Sequence, residues 1–328
     1  MPAQGEKFRA LLATGRIANL PTVWSNVLAG FWLSSSLIPA YQDSADGQDM
    51  RMIMLLVMMI VASMIYVAGC MLGDAADKNF DRQHRPTRPI PSGILSAASV
   101  KLGAFSLFAL AIISLFFLPQ AWALTIQPQL IILAGLLIVL VTSYALLHKK
   151  NKPAALLMMA SCRFMLVMLA IGAVHQVFWA ERPATLIPST LHMEWLQAWM
   201  IMLACSVALY TLLLSWVAST ESSPGAFKSR NVLTCLLLAV PAISVPFRFL
   251  FSSTGHAAHA LALVIIYLWL FHTLAALKTS KPVFVSRALA GFCLLDACFL
   301  APAAPGMAII CLLFFGLALL LQRITPAT

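Results

Sequence analysis

Long apolar runs separated by short polar segments make up almost the whole chain. Runs of spanning length cover about residues 17–41, 52–73, 97–118, 127–147, 153–178, 194–219, 231–251 and 257–277. Each is close to the ~20 residues that a helix needs to cross a bilayer. A further run, 284–322, is too long for one simple span and is interrupted by Pro302, Pro305 and Gly306. It reads as one bent helix with a tail or as two spans. The pattern therefore predicts an all-α polytopic membrane protein of nine helices, or ten if the last run crosses twice. Residues 1–328 read as a single transmembrane helical domain, with polar loops at about 74–96 and 220–230.

Composition agrees. The 328 residues are 61% hydrophobic and 10% charged, with a mean hydropathy of +0.91. A soluble fold has no way to cover so much apolar surface. The net charge of +10 does not point to nucleic acid, because the basic residues fall in loops between apolar runs. Lys7, Arg9 and Arg16 precede the first run, and Lys78, Arg82, Arg85, Arg88 and Lys101 follow the second. Lys149, Lys150 and Lys152 follow the fourth, Lys228 and Arg230 the sixth, and Lys278, Lys281 and Arg287 the eighth. If every run crosses, all these segments lie on one side. The opposite loops carry only Arg51 and Arg182 among several acids. The positive-inside rule makes the basic side cytoplasmic, which predicts an integral protein of the cytoplasmic (inner) membrane. The seven cysteines sit inside apolar runs without metal-ligand spacing and read as small core residues. The first apolar run reads as a retained helix rather than a cleaved leader.

One stretch breaks the apolar pattern. Asp74, Asp77 and Asp81 follow the second run at spacing i, i+3, i+7, which on a helix confines them to an arc of ~60°. Three carboxylates on one face repel one another unless a cation lies between them. Such oxygen ligands suit Mg²⁺, which completes its shell with water and substrate phosphates. Arg82, Arg85 and Arg88 follow at once, and arginine suits bidentate phosphate contacts. Acids and bases together at a membrane surface read as a metal–diphosphate site. The plain alternative is a solvated loop whose charges only set topology.

The pattern Asp-x-x-Asp-x-x-x-Asp-Arg from Asp74, then Arg-Pro-x-Arg-Pro-Ile-Pro-Ser-Gly to Gly93, resembles the first aspartate-rich signature of the UbiA-type intramembrane prenyltransferases. Gly73 stands where those enzymes usually carry Asn. The resemblance implies a bundle of nine helices and Mg²⁺-dependent transfer of an isoprenyl group from its diphosphate to a lipophilic acceptor, an aromatic one among the candidates. It makes Asp74, Asp77 and Asp81 the metal-holding catalytic residues, with Arg82 and Arg88 at the diphosphate. Arg16, Asn19, Pro21 and Asn26 are similar to the family's opening pattern, so Asn19 and Asn26 are expected to line a polar cavity. Tyr144, His148 and Lys149 resemble the family's Tyr-x-x-x-Lys-Arg element, with His148 in the first basic position.

The family's second aspartate signature is reduced. Between Tyr210 and Lys228 the only acid is Glu221, a candidate metal ligand, with Lys228 and Arg230 available to neutralise the diphosphate. Tyr66 precedes Asp77 by the interval at which Tyr210 precedes Glu221, a faint internal repeat that adds Tyr210 to the candidate substrate-binding residues. The Ser-x-x-Ala-x-x-Glu segment ending at Glu221 resembles a divergent UbiA-like branch associated with Ebo-type gene clusters. The alternative function is therefore a catalytically reduced protein that binds or helps to move a lipid or prenylated intermediate. Arg163 lies about ten residues into the fifth run. An arginine at that depth needs a cavity or a counter-ion, so it suits either the diphosphate, an acidic acceptor or a structural pair with Asp296.

Overall fold

The computed structural model of the chain describes residues 4–35, 45–120, 128–149, 151–180, 190–220, 227–250, 254–276 and 280–325. Twelve α-helices occupy them: α1 (Gln4–Thr14), α2 (Leu20–Ser35), α3 (Ala45–Ala76), α4 (Lys78–His84), α5 (Ala97–Gln120), α6 (Pro128–Leu147), α7 (Lys152–Ala180), α8 (Thr190–Thr220), α9 (Phe227–Ala239), α10 (Thr254–Ala276), α11 (Lys281–Leu300) and α12 (Pro305–Ile324). Two 3₁₀ segments, Ile17–Asn19 and Val240–Leu250, complete the described secondary structure.

Eight of these helices contain segments long and apolar enough to cross a membrane, and Leu233–Pro246 is a shorter apolar helix. The long run near the C-terminus is two helices. The first ends at Leu300, and the second starts with Pro305 in its first turn, where a missing N–H costs nothing. Outer helices carry large exposed apolar residues, such as Leu102, Leu268 and Leu313 at 65–70% exposure. That is the surface of a protein whose solvent is lipid.

Two helices form the centre. All of α2 except Trp24 and Trp32 is buried, and Ala290 through Leu300 of α11 are buried on every face. The helix α2 packs against α3, α7, α11 and α12. Its central place explains its composition. Thr22, Ser25 and Asn26 are buried among protein rather than lipid, where they find partners. Around this centre α3 packs on α6, α6 on α7 and α7 on α8. Close approach of α3 and α6 depends on Gly69, because a Cβ there would collide with Val141.

A cavity of about 410 Å³ opens between α3, α6, α7, α8 and α11. On α3 it runs from Asp74 to Ala62. Twelve residues at 1.5 Å each make it about 18 Å deep.

Candidate active site

The mouth of the cavity is built by the ends of α3 and α6. Asp74 and Asp77 line it from α3 and the residue just beyond, and Tyr144 and His148 line it from α6. Each carboxylate is already met by cations. Arg88 Nη1 lies 3.3 Å from Asp74 Oδ1 and 2.9 Å from Asp81 Oδ2. Arg16 Nη2 lies 3.7 Å from Asp74 Oδ1. Lys149 Nζ lies 2.7 Å from Asp77 Oδ1, and His148 Nε2 lies 3.4 Å from Asp77 Oδ2. The Lys149 ammonium also sits 3.8 Å above the Phe80 ring. His148 Nδ1 is 3.1 Å from the Tyr144 carbonyl, which only accepts, so that nitrogen carries the proton.

Local folding explains how Arg88 gets there. Two turn bonds, Arg88 N–H to the Arg85 carbonyl at 3.1 Å and Ser92 N–H to the Arg88 carbonyl at 3.0 Å, coil the chain after α4. Gly93 then takes a φ of 82°, open to glycine without strain. Buried Ile90 and Leu95 tie this loop down, and Leu95 N–H donates to the Pro89 carbonyl at 3.0 Å. The proline-rich signature is thus a clamp that turns Arg88 back over α3. Arg16 reaches the mouth from a similar break. It adopts φ 47° and ψ 47°, a left-handed conformation that costs a side-chain-bearing residue ~1–2 kcal/mol. There α1 ends and the chain turns into the bundle.

The three aspartates do not form one cluster. The helix α3 stops at Ala76, Asp77 takes φ −81° and ψ −1°, and α4 starts at Lys78. Asp81 is buried against Arg88 and is not among the cavity-lining residues. Among the described residues no three His, Cys, Asp or Glu side chains stand close enough to hold a metal ion. The carboxylates left facing the cavity are Asp74 and Asp77. Two carboxylates are a donor set that suits Mg²⁺, an ion held by one or two carboxylates with phosphate oxygens and water.

Below the mouth most of the wall is apolar: Gly69, Leu137, Val141, Leu214, Ala218 and Leu289 all face the space. Asn19 lines it too, and its Nδ2 donates to Tyr66 Oη at 3.1 Å. At the floor Arg163 faces the cavity from α7. Its Nη1 donates to Asn26 Oδ1 at 2.8 Å and the Thr22 carbonyl at 3.3 Å, and its Nη2 donates to Thr22 Oγ1 at 3.0 Å. The guanidinium lies 4.6 Å above the Phe292 ring. Asp296 stands behind Asn26. Its Oδ2 accepts from Ser25 Oγ at 2.6 Å and Asn26 Nδ2 at 2.8 Å. The arginine and the aspartate are therefore bridged by an amide rather than directly paired, and Asn26 serves this bridge rather than the cavity wall.

Other expected residues fall elsewhere. Arg82 is exposed and forms no ion pair among the described residues. Tyr210, expected at the site, is fully buried away from the cavity. Its hydroxyl donates to the Ala288 carbonyl at 2.9 Å, and its ring packs edge-on to Phe292. That position exists because Gly291 has no Cβ to block the hydroxyl. Glu221 lies outside the described residues, as do the side chains of Lys228 and Arg230. Among the described residues, α8 presents Thr211 and Ser215 to the cavity. Their i, i+4 spacing in an apolar run was the available signal. Cys70 and Cys162 also line the cavity, where an apolar setting suggested ordinary core positions.

The fold and this charged mouth over an apolar cavity describe an intramembrane enzyme of the aspartate-rich, helical-bundle class. The sequence profile of the UbiA prenyltransferase family matches residues 22–295, and the chain belongs to that family. A 4-hydroxybenzoate octaprenyltransferase of Idiomarina loihiensis is 30% identical over 93 residues, which are 28% of this chain and 27% of that protein. The similarity thus spans about a quarter of that relative's length. A digeranylgeranylglyceryl phosphate synthase structure aligns with 90% of this chain and 97% of its own, at a TM-score of 0.53 and 18% identity. A UbiA homologue from Archaeoglobus fulgidus, solved with DMAPP and Mg²⁺, aligns with 95% of this chain and 99% of its own, at a TM-score of 0.46 and 13% identity.

Proposed function

We propose that this chain transfers an isoprenyl group from a prenyl diphosphate to a lipophilic acceptor inside the membrane. One observation carries the reading: two carboxylates with basic partners sit at the mouth of a deep apolar cavity. Asp74 and Asp77 would hold Mg²⁺, which when bound neutralises the charge of the diphosphate leaving group. Arg88, Lys149 and His148 are within reach of the same anion and already lie against the carboxylates. A diphosphate arriving at the mouth draws Arg88 and Lys149 from their acidic partners. Their charge stabilises the electron pair that moves to the phosphate oxygen as the allylic C–O bond breaks. Asp81 acts through Arg88 and is a positioning residue. The apolar walls hold the hydrocarbon and keep water from the electron-poor carbon. The acceptor attacks that carbon and loses a proton. By charge distribution the mouth faces the cytoplasm in the cytoplasmic membrane.

The test is turnover. Purified protein, Mg²⁺ and labelled prenyl diphosphates should release pyrophosphate in the presence of an acceptor, and Asp74→Ala with Asp77→Ala should abolish it. Full release by the double variant contradicts the role given to the mouth. A second reading, binding or movement of a prenylated lipid without turnover, is favoured by the sequence between Tyr210 and Lys228, where Glu221 is the only acid. It requires geranyl diphosphate to bind and remain intact.

A further inference from the structure

The helix α1 lines no part of the cavity. It is eleven residues long, too short to cross a bilayer. Its Ala10 and Thr14 are buried, and it packs on α3. Phe8 and Leu11, one turn apart, are 62% and 45% exposed. The depth of α1 says what meets them. A Cβ on Gly15, the residue after α1, would sit 3.2 Å from Val67 Cγ1. Val67 lies nine residues inside the apolar span that ends at Ala76, about 14 Å along the helix axis. The C-terminal end of α1 is therefore below the membrane surface, on the side of the mouth that Arg16 reaches. Lys7 is eight residues from Gly15, about 12 Å along α1. That length matches the depth of Gly15 and brings Lys7 to the level of the lipid headgroups.

The charge pattern fits this level. Lys7 and Arg9 flank Phe8 in sequence, so they project about 100° to either side of it around the helix. Both are exposed, and neither forms an ion pair among the described residues. Glu6, in the first turn, complements the positive end of the helix dipole. An apolar side chain between two cations suits a membrane interface: the ring enters the acyl boundary while the charged heads snorkel to the phosphates. We infer that α1 is an interfacial anchor that binds anionic phospholipid headgroups in the leaflet on the mouth side. Lys7 and Arg9 take the phosphates, and Phe8 and Leu11 enter the acyl boundary. The partner is lipid rather than a soluble protein, because the base of the helix already lies below the membrane surface.

Hydrogen exchange on the full-length protein in nanodiscs tests this. One set of discs is phosphatidylcholine alone, and the other has about one-third phosphatidylglycerol. The backbone of residues 4–14 should exchange about tenfold more slowly with phosphatidylglycerol, since each basic residue near an anionic surface adds to the binding. Salt at ~1 M should remove the difference by screening. Lys7→Gln with Arg9→Gln should remove it too, while Phe8→Ser with Leu11→Ser should speed exchange in both lipids. Buried stretches of α2 and α11 should exchange alike in every variant, which reports that the bundle is folded. Equal exchange of α1 in the two lipids in the wild type overturns the inference, as does a lipid difference that survives Lys7→Gln with Arg9→Gln. Slow exchange that persists in Phe8→Ser with Leu11→Ser also overturns it, because a protein surface rather than lipid then covers the helix.

Discussion

The mouth and the floor of the cavity both hold charge inside an apolar bundle, and they hold it in different ways. At the mouth, acids and bases touch directly, and two of the bases also reach water: the side chains of Arg16 and Lys149 are 37% and 38% exposed. Such pairs contribute little to stability and exchange partners readily. At the floor, Arg163 on the cavity wall and fully buried Asp296 are separated by an amide, and every bond runs between helices distant in sequence. Breaking that arrangement leaves a charge with nowhere to go. A mouth built from exchangeable pairs suits a multiply charged anion that comes and goes.

Substitutions sharpen the contrast. The largest effect belongs to Asp74→Ala with Asp77→Ala, which should lower pyrophosphate release by at least ~10³-fold, since metal-type charge stabilisation is worth several kcal/mol. Next comes Arg88→Met. It strands the buried carboxylate of Asp81, and losing one partner of a buried pair costs about 3 kcal/mol. A clear fall in melting temperature in detergent should accompany lost activity, and an unchanged melting temperature would place Asp81 in contact with water. Lys149→Met should cost little stability, because the Lys149 side chain is 38% exposed and Asp77 keeps His148 beside it. It should raise the KM for prenyl diphosphate about tenfold, the worth of one charge-assisted bond. Tyr210→Phe should have the smallest effect. It loses one hydrogen bond to Ala288, about 1 kcal/mol of stability, with no change in diphosphate affinity. A change in affinity there would return Tyr210 to the site.

The charged stretches of the mouth were legible in the sequence, whereas at the floor the sequence offered Arg163 with Asp296 as one conceivable partner but not the amide that bridges them. Asp74, Asp77, Arg88, His148 and Lys149 belong to two short stretches, each at the end of an apolar run, and their residue types announce anion chemistry. The break between α11 and α12 was equally plain, because Pro302 and Pro305 lack the N–H that would carry a helix on through them. Helical spacing misled at Asp81. It puts three carboxylates on one face only while the helix continues, and here α3 ends at Ala76 before the loop returns Arg88 to take Asp81. Arg163, Asn26 and Asp296 lie on three helices, and the bridging bonds join residues 137 and 270 positions apart. No local pattern pairs them, so only the packing of α2 between α7 and α11 reveals the bridge. Tyr210 shows the reverse case. Its repeat interval pointed to the site, but a missing Cβ at Gly291 decides where its hydroxyl goes.

The central claim is that the diphosphate belongs to the mouth and not to the floor. Electron–nuclear double resonance on purified protein, with Mn²⁺ in place of Mg²⁺ and geranyl diphosphate added, measures this directly. The expected result is a ³¹P coupling to protein-bound Mn²⁺ in the wild type, lost in Asp74→Ala with Asp77→Ala and retained in Arg163→Gln. A coupling that survives the double substitution, or one that disappears with Arg163→Gln alone, would contradict it.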